Sequence, residues 1–197
     1  MKEMIEELNI PSDPNLAPGE ARCPGRSVKD ILLGENSRHD DGLMADSYKF
    51  LGNEDLSFSR YTDQEFYDQE IKKVWSKGWQ WACREEHIKD PGDYYVYDVG
   101  PYSAIVIKDA ENKIRAFVNS CPHRGMAFFD PGSQGTGKQF LRCPFHGMSW
   151  NLDGSLKEIP CRWDFPHVSD ENFGLTEIPS GTWAGFVFIN FDLECGP

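Results

Sequence analysis

The sequence predicts a mainly β fold of antiparallel sheet, preceded by one helix and an extended N-terminal arm. Polar and apolar residues alternate with period two from Trp79 onward, as in strands with one buried face. Turn signals such as 91–92 and 151–155 separate the alternating segments. Two short segments with one shared pattern, 121–125 and 143–147, each follow a predicted strand. Both segments are therefore expected on loops that project from the sheet.

Length and charge limit the classes of protein that fit. The 197 residues suffice for one ordinary domain with its own core. The 32 Asp and Glu residues outnumber the 20 Lys and Arg residues, which gives a formal charge of −12. A chain this acidic repels phosphate backbones and anionic lipid surfaces, so we predict no nucleic-acid partner and no membrane partner. A more basic protein surface is the better electrostatic match.

Hydropathy and cysteine usage predict a soluble, cytoplasmic protein. The N-terminal segment has no apolar core of a signal peptide, and the longest apolar run, 184–189, is far shorter than the roughly 20 residues of a membrane helix. Four cysteines lie outside the shared-pattern segments and lack disulfide spacing, namely Cys23, Cys83, Cys161 and Cys195. We interpret all four as reduced thiols, and Cys83 and Cys161 as small buried hydrophobic residues.

The N-terminal part of the chain differs in composition from the rest. Residues 1–57 are polar and acidic, contain several prolines and show little periodicity. This composition predicts an extended acidic arm that lies either across a neighbouring subunit or in solvent. Residues 58–197 are predicted to form one domain.

One helix is predicted near the start of that domain. Thr62 and Glu65 form the capping-box pattern that begins many helices, and Gly78 is a suitable end. The apolar residues between them are spaced for one helical face, and they are Phe66, Tyr67, Ile71, Val74 and Trp75.

Strands follow the helix in order. The predicted strands are 79–83, 94–97, 103–108, 113–118, 139–142, 149–150, 156–159 and 182–191. The short loop 109–112 makes a hairpin of its two neighbours, and the tight turn 151–155 makes a second hairpin. The segment 182–191 is nearly continuous in apolar residues, which predicts one central strand buried on both faces.

The two shared-pattern segments carry the candidate metal ligands. Each begins with Cys-Pro, continues with a histidine and ends with glycine, so each offers one thiolate and one imidazole. The four candidates are Cys121, His123, Cys143 and His146. A [2Fe–2S] cluster needs four protein ligands, and two thiolates on one iron with two imidazoles on the other raise its potential. The pattern therefore favours a binuclear iron–sulfur site.

Two other interpretations of these segments stay open from the residues alone. Zinc accepts the same ligand types in Cys₂His₂ sites, but zinc fingers usually place both cysteines in one short motif and both histidines in another. The residues could also be ordinary loop residues, although a chance double match of this kind is improbable.

The segment from about 60 to 192 resembles the Rieske domain of the aromatic-ring-hydroxylating (Rieske non-haem iron) oxygenase α subunits. The resemblance rests on the segments 61–66, 75–79, 91–94, 115–125 and 181–190. It implies a Rieske-type antiparallel β-sheet domain with two cluster-binding loops, whose ligands are Cys121, His123, Cys143 and His146. The chain departs from the family in two ways, since 19 residues separate His123 from Cys143 and Met148 stands where many members have tryptophan.

The resemblance also implies a function. In the family, the domain accepts electrons from a reductase or ferredoxin and passes them to a mononuclear non-haem Fe(II), where an aromatic or related substrate is oxidised with O₂. That iron belongs to a catalytic domain of the same or a neighbouring α subunit, in a homotrimer. We expect this catalytic domain to be absent from the chain, so no catalytic residue is predicted and the chain alone should not turn over substrate.

A free-standing Rieske ferredoxin-like electron carrier is the alternative. The predicted helix and the N-terminal arm disfavour it, because such ferredoxins are smaller. Respiratory Rieske proteins fit less well, because no additional cysteine lies within 121–129 or 143–150 to form their disulfide.

Overall fold

A computed structural model describes residues 28–35 and 55–196. The chain divides into two units, Met1–Ser57 and Phe58–Pro197. In the first unit the described part contains a six-residue helix, α1, at Val28–Leu33, which the sequence did not predict. The rest of the predicted arm lies almost wholly outside the described residues, so the arm stays a prediction.

The second unit begins with helical turns. They are α2 (Ser59–Thr62), α3 (Gln64–Glu70) and a π-helical turn at Ile71–Trp75. The N-cap of α3 is Asp63, whose side chain accepts a hydrogen bond from the backbone N–H of Phe66 at 3.0 Å. The predicted cap at Thr62 is therefore wrong. Asp63 has the extended backbone that an N-cap requires, whereas Thr62 belongs to α2 and its hydroxyl donates to the Phe58 carbonyl.

The helical segment buries less than its apolar spacing predicts. Ile71 is the buried residue of the predicted face, and its side chain lies against Gly100 at the turn between two strands. Tyr67, Val74 and Trp75 are each more than 40% exposed. The apolar spacing identified the helix correctly but overstated how much of it packs against the sheets.

Eleven strands are described in the second unit. They are β1 (Gln80–Arg84), β2 (Tyr94–Val99), β3 (Tyr102–Lys108), β4 (Ile114–Val118), β5 (Gln134–Gly135), β6 (Leu141–Arg142), β7 (Ser149–Trp150), β8 (Leu156–Glu158), β9 (Glu177–Ile178), β10 (Ser180–Trp183) and β11 (Phe186–Ile189). Short 3₁₀ turns lie at Glu85–His87, Arg162–Asp164 and Asp170–Asn172.

The strands form three antiparallel sheets. Sheet A has the order β1-β11-β10, sheet B the order β5-β2-β3-β4-β9, and sheet C the order β6-β7-β8. Both predicted hairpins are confirmed, since β3 pairs with β4 and β7 pairs with β8. The mainly β, antiparallel fold class is confirmed.

The predicted long strand at 182–191 is instead a hairpin. Ala184 and Gly185 have φ of 49° and 81° and join β10 to β11. A two-residue turn with positive φ at both positions matches the right-handed twist of the strands that flank it. The turn was not predicted because the segment is continuously apolar. Of the predicted strand, only β11 is central in its sheet.

Sheet B is the middle layer of the unit. Ile105 and Ile107 of β3 lie in a core shared with sheet C, which also contains Phe117, Leu141 and Trp150. Ala104 and Val106 alternate with them and lie in a second core shared with sheet A. Both faces of β3 are therefore buried, and the four consecutive residues have no solvent exposure.

The cysteines outside the two loops have different environments. Cys83 is buried as predicted, and burial raises the pKa of its thiol to about 12. Cys161 is exposed, which contradicts the prediction of a buried residue. It precedes a short 3₁₀ turn, has a left-handed backbone and belongs to neither core. Cys23 lies outside the described residues.

The α-helices of the described ranges are short, with four to seven residues each. None of them has both the length and the apolar composition to span a bilayer.

A buried carboxylate in the β3–β4 hairpin should make stability depend on pH. Burial would raise the pKa of Asp109, but the Arg115 guanidinium and the backbone N–H groups of Lys113 and Glu111 outweigh burial and hold the pKa below its usual range. The stabilisation is therefore present above the unfolded-state pKa of about 3.9 and is lost as pH falls through the folded-state pKa.

We expect Asp109→Asn to reduce stability at pH 7 and to flatten its decline below about pH 4. Urea unfolding at a series of pH values measures both effects. A matched change at exposed Glu111, Glu111→Gln, should leave the profile nearly unchanged. An unaltered profile for Asp109→Asn would contradict the assigned role of this carboxylate.

Candidate metal centre

The first candidate loop leaves the end of β4 and turns tightly. The backbone N–H of Cys121 donates to the carbonyl of Met126 at 2.8 Å, and the N–H of Gly125 donates back to the carbonyl of Cys121 at 2.8 Å. Gly125 has a φ of 73°, a conformation that glycine adopts without steric cost. These two bonds hold 121–126 in a compact turn.

The second candidate loop connects β6 to β7 and has the same geometry. The N–H of Cys143 donates to the carbonyl of Met148 at 2.8 Å, and the N–H of Gly147 donates to the carbonyl of Cys143 at 3.1 Å. Gly147 has a φ of 75°. The two loops are therefore structural copies, except that the histidine is the third residue of the first loop and the fourth of the second.

The two thiols lie together inside the protein. Cys121 and Cys143 are each 2% exposed and belong to the core between sheets B and C. Burial raises the pKa of the Cys121 thiol and the neighbouring Cys143 thiol raises it further, whereas backbone N–H groups of His123 and Arg124 oppose this rise. The sulfur of Cys121 thus faces amide donors that would stabilise a thiolate.

The two imidazoles lie together at the surface. The ring centroids of His123 and His146 are 4.8 Å apart, with planes inclined by 65°. Phe145 and Phe165 flank the pair, at 3.9 Å from His146 and 5.6 Å from His123. Burial lowers the pKa of His123, and His146 and Arg124 lower it further, which favours the neutral imidazole that metal coordination requires.

The structure therefore brings the four candidates together as two pairs, a buried thiol pair and a surface imidazole pair. In the described parts of the chain, no three His, Cys, Asp or Glu side chains are grouped to hold one metal ion. A binuclear cluster needs only two protein ligands for each iron, so this grouping fits a [2Fe–2S] cluster.

The other described histidines have separate environments. His87 stacks on Tyr95 and accepts a hydrogen bond from the backbone N–H of Arg84 at 3.3 Å. His167 lies 6.4 Å from Phe165, between ring centroids. His39 is outside the described residues.

Asn119 is a residue of the site that the sequence reasoning did not identify. It is 5% exposed and lies two positions before the first loop. Its side chain donates to the Ser103 hydroxyl and the Phe129 carbonyl, and it accepts from the N–H groups of Phe128 and Phe129. The signal in the sequence was an asparagine two positions before the first cysteine.

The β fold and the two matched loops define an iron–sulfur domain. Residues 78–169 match the family described as the Rieske [2Fe-2S] domain. The chain is 33% identical to choline monooxygenase of Spinacia oleracea over 135 residues, which are 68% of this chain and 30% of that protein. It is 30% identical to the biphenyl 2,3-dioxygenase α subunit of Rhodococcus jostii, again over 68% of this chain and 30% of that subunit.

Solved structures give the same result. The quaternary ammonium Rieske monooxygenase CntA in complex with L-carnitine aligns with a TM-score of 0.65 and 28% identity, over 71% of this chain and 39% of that chain. A naphthalene 1,2-dioxygenase aligns with a TM-score of 0.62 and 28% identity, over 68% and 30% of the two chains. Residues 78–169 therefore belong to the Rieske [2Fe-2S] domain family, and the chain is related to the oxygenase α subunits. It spans about a third of the length of these relatives.

Proposed function

We propose that the chain is the electron-transfer part of a Rieske oxygenase and that Cys121, His123, Cys143 and His146 hold its [2Fe–2S] cluster. The observation that carries the proposal is the pairing of two buried thiols with two surface imidazoles on loops of equal geometry. Sulfur ligands on one iron and nitrogen ligands on the other are the arrangement of a Rieske centre.

The bound cluster supplies uptake and release of one electron at a time. The residues of the chain determine where that electron can leave. Burial excludes water from the thiol side, because Cys121 and Cys143 lie in the core. Exposed His146 and half-buried His123 lie on the outer side. A histidine that binds metal through one ring nitrogen can donate a hydrogen bond through the other, so these side chains can contact a redox partner directly.

The proposed partners follow from the family. A ferredoxin or reductase would supply electrons, and a catalytic domain with a mononuclear iron, in the same or a neighbouring subunit of a homotrimer, would receive them. The names of the relatives include monooxygenases of choline and carnitine, which are quaternary ammonium compounds, and a dioxygenase of biphenyl, which is aromatic. We therefore propose O₂-dependent oxidation of an aromatic or related organic substrate as the activity of the whole protein. The cytoplasmic location stays a prediction.

Metal analysis and spectroscopy of the purified chain test this function. We expect about two irons and two inorganic sulfides per chain, a brown colour, and a rhombic electron paramagnetic resonance (EPR) signal after one-electron reduction. We expect no hydroxylation of an aromatic compound by the reduced chain alone. A colourless protein that contains zinc would contradict the assignment of a [2Fe–2S] cluster. A third iron per chain together with substrate turnover would contradict the assignment of the chain as an electron-transfer part.

A further inference from the structure

The two candidate loops are closed at their bases by different means. Beneath the second loop, β6 and β7 pair as strands, with Leu141 opposite Trp150 and Arg142 opposite Ser149. Beneath the first loop, β4 ends at Val118, and the residues that return from the loop, 127–130, form no strand. The first loop therefore lacks the ladder of backbone hydrogen bonds that closes its structural copy.

The side chain of Asn119 occupies this place. Its Oδ1 accepts from the N–H groups of Phe128 and Phe129 at 2.9 and 3.3 Å, and its Nδ2 donates to the Phe129 carbonyl at 2.9 Å. A carboxamide has the same donor and acceptor groups as a peptide unit, so it can pair with backbone as a strand would. Nδ2 also donates to the Ser103 hydroxyl at 3.0 Å, which connects the loop base to β3.

We propose that Asn119 is a positioning residue for the metal centre, and that its carboxamide substitutes for the missing strand pair that would close the first loop. This inference rests on the proposed function, because the loop carries Cys121 and His123. A loop closed at its base keeps the Cys121 thiol against Cys143 and the His123 ring against His146. Without the carboxamide, buried N–H and C=O groups lose their partners and the loop opens.

The substitution Asn119→Ala tests this inference, and Asn190→Ala is the matched control. Asn190 is equally buried and also makes side-chain hydrogen bonds to backbone, but it lies at the end of β11 in sheet A. We expect Asn119→Ala to raise amide hydrogen exchange at Phe128 and Phe129 by about tenfold, to lower the iron content and to shift the EPR g-values. Asn190→Ala should lower stability and leave the g-values unchanged.

Asn119→Asp is a milder variant, since it keeps the size and both accepted hydrogen bonds and loses both donated ones. We expect it to retain iron with shifted g-values. Unchanged g-values and exchange in both Asn119 variants, or the same g-value shift in Asn190→Ala, would overturn the inference. Amide exchange at Phe128 and Phe129 in the protein as purified separates this result from a failure of the proposed function, because it reports on the hydrogen bonds to Asn119 whichever metal is bound.

Discussion

Replacing Cys143 with serine should yield a colourless protein without the Rieske EPR signal. The thiol of Cys143 is buried beside that of Cys121, and no other cysteine of the described residues belongs to this core. A serine hydroxyl is a poor ligand for iron, and an incomplete ligand set loses the cluster. Because metal binding is coupled to folding in such sites, we also expect a lower midpoint of thermal unfolding.

Cys161→Ser is the matched control for this prediction. Cys161 is exposed and lies outside both loops, so its replacement should leave iron content, visible absorbance and unfolding temperature unchanged. Full absorbance and an unaltered EPR signal in Cys143→Ser would show that Cys143 is not a ligand. Loss of the cluster in both variants would indicate a general sensitivity of the fold to cysteine replacement.

Replacing Trp150 with alanine should cause the largest loss of stability among single core substitutions. Trp150 is fully buried, packs edge to face on Phe128 with ring centroids 5.3 Å apart, and donates from Nε1 to the Phe173 carbonyl at 2.7 Å. Truncation leaves a large cavity and an unpaired carbonyl, for which we expect about 3–5 kcal/mol of lost unfolding free energy. Anaerobic urea unfolding, followed by far-ultraviolet circular dichroism, measures the loss.

Trp163→Ala removes the same side chain from the surface. Trp163 is 78% exposed, so its replacement should change the free energy of unfolding by no more than about 0.5 kcal/mol. A loss below about 1 kcal/mol for Trp150→Ala, or equal losses for both variants, would contradict the packing between sheets B and C. The same core contains Cys121 and Cys143, so Trp150→Ala should also lower the yield of cluster-loaded protein.

Local sequence signals predicted the fold where one short segment determines the structure. The hairpin of β3 and β4 was predicted because its loop and its alternating arms are contiguous. The positions of the two loops were predicted because each cysteine follows a predicted strand, 113–118 or 139–142. The capping error at Thr62 was small, since Asp63 is the adjacent residue and is an equally good capping type.

Features that depend on distant parts of the chain were not predictable in this way. The turn at Ala184 and Gly185 lies inside an apolar run, so composition does not reveal it. The residues of this run that form β11 pair with β1, which lies far away in the sequence. The role of Asn119 depends on Ser103 and on 128–129, which are 16 and about 10 positions away. Ligand identity was suggested by the repeated cysteine and histidine pattern and by the family resemblance, and it stays a prediction until the variants are measured.

The pairing of β1 with β11 affects the order in which the domain can be made. Gln80 pairs with Ile189, so these strands are separated by more than half of the chain, whereas β2, β3 and β4 pair with their immediate neighbours in sequence. During synthesis, β2, β3 and β4 can pair early, but β1 has to wait for β11 to leave the ribosome. Until then the apolar residues Ala82 and Cys83 of β1 lack Val187 and Ile189 of β11 as core partners. The nascent chain therefore exposes an unpaired strand edge from the synthesis of β1 until the synthesis of β11, which is when binding by a chaperone would be most useful.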